Sequence, residues 1–500
     1  MKKKNTLPIV AMAIAFFTGA CIDDTGNYDY SPVENVFPVE ISGLQDTSFL
    51  LTANVELQPI IKGLDSDLEK YAFTWYTYPI MAVGYAPARD TLGTGTTLSF
   101  VMNYPPGERR MLVFEIKEKS TGLIANKKVE ITSASVFSRG WFVVNDLDGQ
   151  TDIDFIDLDG LVREDVISRV NGQKLQGKGV RMVLQSGFYY HDKRMPDGTI
   201  MRLSNQTVFH VLSEQDMKTL NAASFEIYKN FEDEFYSPPA VWKPQDIMNT
   251  YLGYVFLIND GKLYSITGMT AGPGKFAHPK IGDANLYPCV LAGDFAQQAN
   301  VFSRASSSFL VDNMSTDLVK VESDDGTPPT NMDHEMLWMA RRFQRYSSSA
   351  QAWAIMRSKS APVAYHLVDI DASGSMNPIV GFHPLNASAR LLSADVYGIH
   401  PEHSAAIYFA KGNLLSYFQK GDASGDDEVD LWTFPADETI AYVGKNSSTT
   451  HLEVLTNSNN TWKLYIFPLA NSGQYAYIQD GASPLAVYSG NGNARFVLYR

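Results

Sequence analysis

In this 500-residue chain few residues are placed to do chemistry, and the one whose setting says most is Cys21. It follows MKKKNTLPIVAMAIAFFTGA, in which Lys2, Lys3 and Lys4 form a positive head, Leu7 to Phe17 an apolar run, and Gly19 and Ala20 a small pair. That is the layout of a secretory signal. The run is shorter than the roughly 20 apolar residues of a spanning helix, and Pro8 interrupts it, so residues 1–20 are expected to be cleaved. A thiol directly after small residues at a cleavage point predicts acyl transfer: the sulfur takes a diacylglycerol and the new amino terminus a further acyl chain. Thr18 stands where such signals usually carry Leu, and an ordinary signal with an incidental cysteine is the alternative. Each buried methylene contributes about 0.8 kcal/mol, so two or more chains hold firmly where one does not. Asp23 and Asp24 then read as an acidic export tag for the outer face of an outer membrane, or as plain linker charge within residues 21–34.

Metal and acid–base chemistry find less support. "DIDASG", Asp369 to Gly374, fits the first half of a calcium loop, with Asp369 and Asp371 as ligands, but Val380 stands where the bidentate Glu belongs. Structural calcium there is the one cofactor reading left open. The run Asp146, Asp148, Asp152, Asp154, Asp157 and Asp159 has Gly149 at the wrong place for such a loop and reads as turns. His400 and His403 flank Pro401, which forbids the helical face that presents a zinc pair, and Asp333 to Met336 lacks a second His at metal spacing. No nucleophile elbow or phosphate loop occurs, so no catalytic residue is assigned, although a glycosidase carboxylate pair need not show in spacing.

Aromatic side chains in long loops point to recognition. "GFYYHD" offers Tyr189 and Tyr190, and "NFEDEFYSPPAVWKP" offers Phe235, Tyr236 and Trp242 among acids and prolines. Aromatic faces against sugar C–H surfaces, with carboxylates on the hydroxyls, are a physical basis for glycan capture. Rings that pin their own loops are the competing explanation.

The elements that must hold these residues are β-strands. With 45% hydrophobic, 12% aromatic and 19% charged residues the chain is expected to fold outside the cytoplasm into more than one domain. Cys289, without a partner once Cys21 is acylated, is expected to be buried as a small hydrophobe. A net charge of −14 without a basic stripe argues against nucleic acid as a partner. Residues 35–135 alternate in short runs, "YAFTWYTYP", "LSFVMNY" and "MLVFEIKEKSTGLIANKKVEI", the last turning at "EKSTG". About seven strands in about 100 residues predict an immunoglobulin-like sandwich, with Trp75 in its core rather than on a sugar.

CIDDTGNYDY at 21–30, a short linker, then a domain with "FTWY" and "STGL", resembles the PKD-like family of lipoproteins of glycan-utilisation loci. The Gly-Asp-Gly turn of true PKD domains is absent, so the sandwich is what carries over. The resemblance implies an outer-surface lipoprotein beside a starch-utilisation-type transporter and its substrate-capturing lipoprotein, and no catalytic residue.

Residues 136–500 repeat a strand–turn–strand unit at roughly fifty-residue spacing. The turns fall near Gly149, Asn205, Asp260, Met314, Lys359, Gly412 and Ser458. Seven such hairpins predict a β-propeller of seven blades, closed by "ARFVLYR" pairing beside "GWFVVN". A pair of sandwiches or a β-helix is the alternative. The whole is thus expected to be an all-β, non-catalytic surface lipoprotein that binds glycan or a protein of an uptake complex. The alternative activity is a propeller hydrolase or lyase degrading polysaccharide.

Overall fold

A computed structural model describes residues 36–500 apart from 52, 81–87, 106, 195–197, 267–273, 283–284, 324–325, 343–348, 375, 400–405, 422–426, 446–450, 471–477 and 479–481. Cys21 with its signal, and the pair His400 and His403, lie outside the described residues. The chain divides into two compact units, Met1–Ser133 and Ala134–Arg500. Among the described residues no helix is long and apolar enough to cross a membrane.

The N-terminal unit is an antiparallel sandwich. Its five-stranded sheet has Arg109–Glu118 at its centre, beside Tyr71–Pro79, the strand in which aromatics alternate with Thr and Ala. Arg109–Glu118 pairs along the whole of it, with Trp75 opposite Phe114. Asp90–Gly93 flanks one side, and Ile124–Ala134 followed by Thr47–Leu50 the other. Two ribbons, Glu40–Ser42 with Ile60–Lys62 and Asn54–Leu57 with Leu98–Val101, cover the buried face. One core results, in which Trp75, Phe114 and Ile116 meet Phe37, Val55 and Leu98. Trp75 is fully buried, lies 4.3 Å from the Phe114 ring and donates from Nε1 to Gly95 O at 3.0 Å, which makes it a core residue.

In the C-terminal unit the described residues form seven separate antiparallel sheets in a propeller-like arrangement. The first joins Val162–Arg163, Gln150–Asp157, Gly140–Leu147 and Asn493–Tyr499, with Leu175–Gln176 beside it. The others are meanders whose first described strands are Gly179–Arg194, Pro244–Asn249, Ala299–Ser303, His334–Arg342, Val396–Ile399 and Thr439–Lys445. Their strands are apolar in long runs because both faces are covered. In the sixth sheet, Tyr408 and Ala410 pack toward the seventh while Ile407 and Phe409 pack toward the fifth. Clusters of this kind join every consecutive pair of sheets. A further one, with Leu455 and Trp462 against Val143 and Val497, joins the seventh back to the first.

Tight turns fall where residues tolerating positive φ occur, at Asp148-Gly149, Asp260-Gly261 and Asn459-Asn460. Asn205 is an exception. It does not turn a hairpin but sits within the continuous strand Ile200–Ser213, which pairs with the 16-residue strand Gly179–Arg194. Its φ of 53° accompanies an irregular register there, so the asparagine marks a bulge rather than a reversal. Closure follows the expected pairing: Asn493–Tyr499 runs antiparallel to Gly140–Leu147, and Gly140 and Arg500 exchange backbone hydrogen bonds of 3.0 Å.

Candidate functional site

The loop before the third sheet keeps large side chains at the surface. Phe231 and Phe235 enter the cluster between the second and third sheets, and Tyr236 N donates to Phe276 O at 3.0 Å, which fixes one end. At the other end the Asn259 side chain donates to Val241 O at 2.9 Å and accepts from Lys243 N at 2.8 Å. Between these clamps Tyr236 is 59% and Trp242 38% exposed. One face of Trp242 stacks on Phe231 at 4.5 Å, so the indole is held in place.

The other predicted aromatics are placed differently. Tyr190 is buried with Phe188, Leu203, Val208 and Tyr228, and Phe235 is buried among Leu212, Ile247 and Phe276. Both are therefore corrected from ligand contacts to loop pins: the alternation of the long hairpin turns Tyr190 inward, and the chain entering the clamp turns Phe235 inward. Tyr189 is half-buried, edge-on to His191 at 6.3 Å. Behind Tyr190 and Phe235 lies a buried polar chain. His210 bonds Gln185 at 2.7 Å and Thr219 at 2.8 Å, Thr219 donates to Glu234, and Glu234 pairs with Lys229 at 2.5 Å. Burial, helped by the Lys229 charge, holds the His210 imidazole down at about 3, so it is neutral.

A pair that sequence reasoning missed lies at the opposite end of the strand Pro244–Asn249 from Trp242. Tyr251 and Phe295, 62% and 38% exposed, meet edge to face at 5.4 Å, and Tyr251 N donates to Asp294 O at 2.8 Å. They come from loops of neighbouring sheets 44 residues apart, counting from 251 to 295, and no local pattern could join them.

A second feature invisible in the sequence is an ion network where edge strands of the sheets converge. Asp246 of the third sheet takes Arg181 of the second at 2.8 Å and Arg341 of the fifth at 2.9 Å. Arg341 also donates to Val290 O at 2.7 Å, and Val290 N donates to Asp246 at 2.8 Å. Phe496 of the first sheet lies beneath Arg181 at 5.7 Å and meets Tyr442 of the seventh at 5.3 Å. The register is irregular at Gly179/Arg181, Pro244/Asp246 and Ile440/Tyr442, so bulges aim all three side chains inward. Cys289 is buried here as expected, and burial pushes its thiol up to about 12 despite Arg341 and Arg181 nearby.

The acidic motifs resolve into structure. Asp148-Gly149 is a turn, Asp152 accepts from Ile167 N and Ser168 N at the start of the helix Val166–Asn171, and Asp157 closes the next turn through Asp159 N and Leu161 N. Asp154 accepts from Trp462 Nε1 and Asp165 N, both at 2.8 Å, and burial lifts its carboxyl to about 7. Asp369 and Asp371 lie in the strand Tyr365–Ala372, with Asp369 opposite Trp353 and Gly381, not in a loop. The cations Arg342 and Lys420 near Asp369 would repel calcium, so that reading is withdrawn on geometry and charge. Asp333 to Met336 gains a histidine partner from a neighbouring strand, His334 Nε2 lying 3.3 Å from His366 Nδ1. Among the described residues no three His, Cys, Asp or Glu side chains are grouped to hold a metal.

Comparison with known proteins locates the family signal at the N-terminal end. The model of the PKD-like family matches residues 21–179, which takes in the sandwich and the first sheet of the second unit up to its closing strand. No curated protein matches the chain. Among solved structures, a quinonprotein alcohol dehydrogenase-like protein from Bacteroides thetaiotaomicron is similar at 13% identity and a TM-score of 0.41, over 91% of this chain and 96% of that one. Hsv2 of Kluyveromyces lactis is similar at 8% identity and a TM-score of 0.35, over 68% and 94%. PorZ, a surface component of the type-IX secretion system of Porphyromonas gingivalis, is similar at 11% and 0.25, over 78% and 53%. Likeness at this level concerns the fold alone.

Proposed function

We propose that the chain is a lipid-anchored protein on the outer face of an outer membrane, and that its propeller-like unit captures a ligand without cleaving it. The seven sheets are read as seven blades, Cys21 as the acylated residue, and the ligand as a glycan or a protein of a starch-utilisation-type uptake complex. The observation that carries capture is the clamped loop that keeps Tyr236 and Trp242 exposed while Phe231 and Phe235 hold it from below. A flat ring already fixed in place loses little freedom when a sugar or a side chain stacks on it, which is the condition for an affinity anchor. The lipid tether proposed at Cys21 belongs to the same reading, since a tethered protein serves capture at a surface.

The first prediction is that Trp242→Ala and Tyr236→Ala each weaken binding by about 1 to 3 kcal/mol, the range for a lost aromatic anchor. Glycan-array and calorimetric titration of the acylated-site-free protein measure it, with the thermal midpoint as control. Binding lost at an unchanged midpoint identifies a ligand contact, whereas a midpoint several degrees lower identifies a pin. Release of reducing sugar that a single Asp or Glu substitution abolishes would instead establish the hydrolytic alternative.

A further inference from the structure

The sequence around His334 has no second histidine at metal spacing, and folding supplies one 32 residues on. His334 opens the strand His334–Arg342, and His366 is the second residue of Tyr365–Ala372. On the strand Ala350–Ser358 between them they stand opposite Ser358 and Met356, and His334 Nε2 comes to 3.3 Å from His366 Nδ1. Both residues are half-buried at one end of the fifth sheet. Their surroundings are open: Asp333 and Glu335 on either side of His334 are exposed, as is Pro384, the residue paired with His366. The ring of Phe382 stacks on His366 at 4.3 Å and meets His334 edge-on at 5.3 Å, so one apolar wall orients both imidazoles.

The partners fix where the hydrogens lie. His334 Nδ1 is 2.6 Å from Met332 O, and a carbonyl only accepts, so Nδ1 carries the hydrogen and Nε2 of the neutral ring carries a lone pair. A metal-ligating histidine is held in this same way, its far nitrogen donating to a backbone carbonyl. His366 Nδ1 faces that lone pair and donates to it in one tautomer. In the other tautomer its hydrogen sits on Nε2, and two lone pairs converge on one point. Two nitrogens bound to one zinc ion at about 2.0 to 2.1 Å, at the tetrahedral angle, stand roughly 3.3 to 3.4 Å apart, which is the separation found here.

We propose that His334 Nε2 and His366 Nδ1 chelate a divalent transition-metal ion of the zinc class, with water in the two remaining tetrahedral positions. Among the described residues no third His, Cys, Asp or Glu joins them, so the protein supplies two ligands only. Closed structural sites have four protein ligands, whereas this one keeps two positions exchangeable, which a donor atom of a ligand or partner can enter. Imidazole nitrogens favour zinc, copper and nickel, while calcium and magnesium take oxygen, so the site discriminates between these classes. The ion links the first and third strands of one sheet and therefore stabilises the C-terminal unit on binding. The reading does not rest on Tyr236 and Trp242, so either can fail without the other.

The test uses the full chain, freed of metal with EDTA and dialysed, with zinc chloride titrated against magnesium chloride at equal ionic strength. Zinc at about 1 mM should raise the midpoint of the C-terminal unit by about 2 °C or more over magnesium. His334→Gln and His366→Gln should each weaken zinc binding, followed by calorimetric titration, at least about tenfold, since loss of a ligand costs no less than loss of its outer partner. His400→Gln combined with His403→Gln should leave that binding unchanged. Crystals of the natural protein grown with zinc, measured at the zinc edge, should show the ion within about 2.3 Å of both nitrogens, which decides the matter should a variant not fold. No rise over magnesium, binding kept in both single variants, or zinc lodged away from the pair overturns the proposal.

Discussion

Asp154 shows what a single buried side chain does to the pH dependence of the fold. Its carboxyl is lifted from 3.8 to about 7 mainly by burial, against the bonds from Asp165 N and Trp462. Because the folded value lies above the unfolded one, the stability gained from the protonated form is fully present below about 4 and is lost as pH rises through 7. Asp154→Asn keeps the shape and removes the titration. Relative to the natural protein, the variant should gain about 2 to 3 kcal/mol between pH 5 and pH 8, read by urea denaturation with tryptophan fluorescence. A constant difference across that interval would show that Asp154 stays ionised. Lys229 and Glu234 make the complementary case, both fully buried and 2.5 Å apart. Lys229→Met alone should cost about 3 to 5 kcal/mol by stranding the carboxylate, and adding Glu234→Leu should restore much of it. Little of this was legible beforehand: Tyr190 and Tyr236 are the same residue type in similar company, and only the pairing of Tyr190 with Leu203 and the clamp beside Tyr236 separate interior from surface. Trp75 and Cys289, by contrast, were readable as core, because an apolar run on both sides leaves such residues no exit to water.

Among elements, the strand Asn493–Tyr499 carries the most. It buries Ala494 and Val497 against Leu455 and Trp462 and is held by Arg495 to Asp146 at 2.7 and 3.1 Å. Ending the chain at Gly492 should abolish the cooperative transition of the C-terminal unit, followed by circular dichroism, since it exposes that cluster and the edge of Gly140–Leu147 together. A truncated protein that still melts in one sharp step would contradict closure by this strand. The repeat was visible because each outer hairpin needs a turn residue between two apolar runs, as at Asp260-Gly261 and Gly412. The edge strands were not, since Pro244–Asn249 and Val396–Ile399 are short and lack alternation, and the bulge in Pro244–Asn249 has no signature. The aromatic pair Tyr251 and Phe295 and the Arg181 network depend on those strands, and stayed hidden with them.

For the molecule as a whole, the two units have separate cores: every residue of the cluster around Trp75 belongs to the N-terminal unit. Calorimetry should therefore resolve two transitions, and Trp75→Ala should lower only one of them, by about 3 to 5 kcal/mol of unit stability. A single transition displaced as a whole would mean the units unfold as one.

The pairing of Asn493–Tyr499 with Gly140–Leu147 also sets a schedule. Arg495 and Asp146 are 349 residues apart, so the strand that closes the unit is contributed by the last stretch of the chain and its pairing carries a large loop-closure cost. Until that strand pairs, the first sheet has an open edge, and the seam between first and last sheets has no second wall. An unclosed ring is then a built-in mark of incompleteness: a copy that has lost its last strand exposes a bare sheet edge and an apolar seam, the features by which misfolded chains aggregate or are degraded.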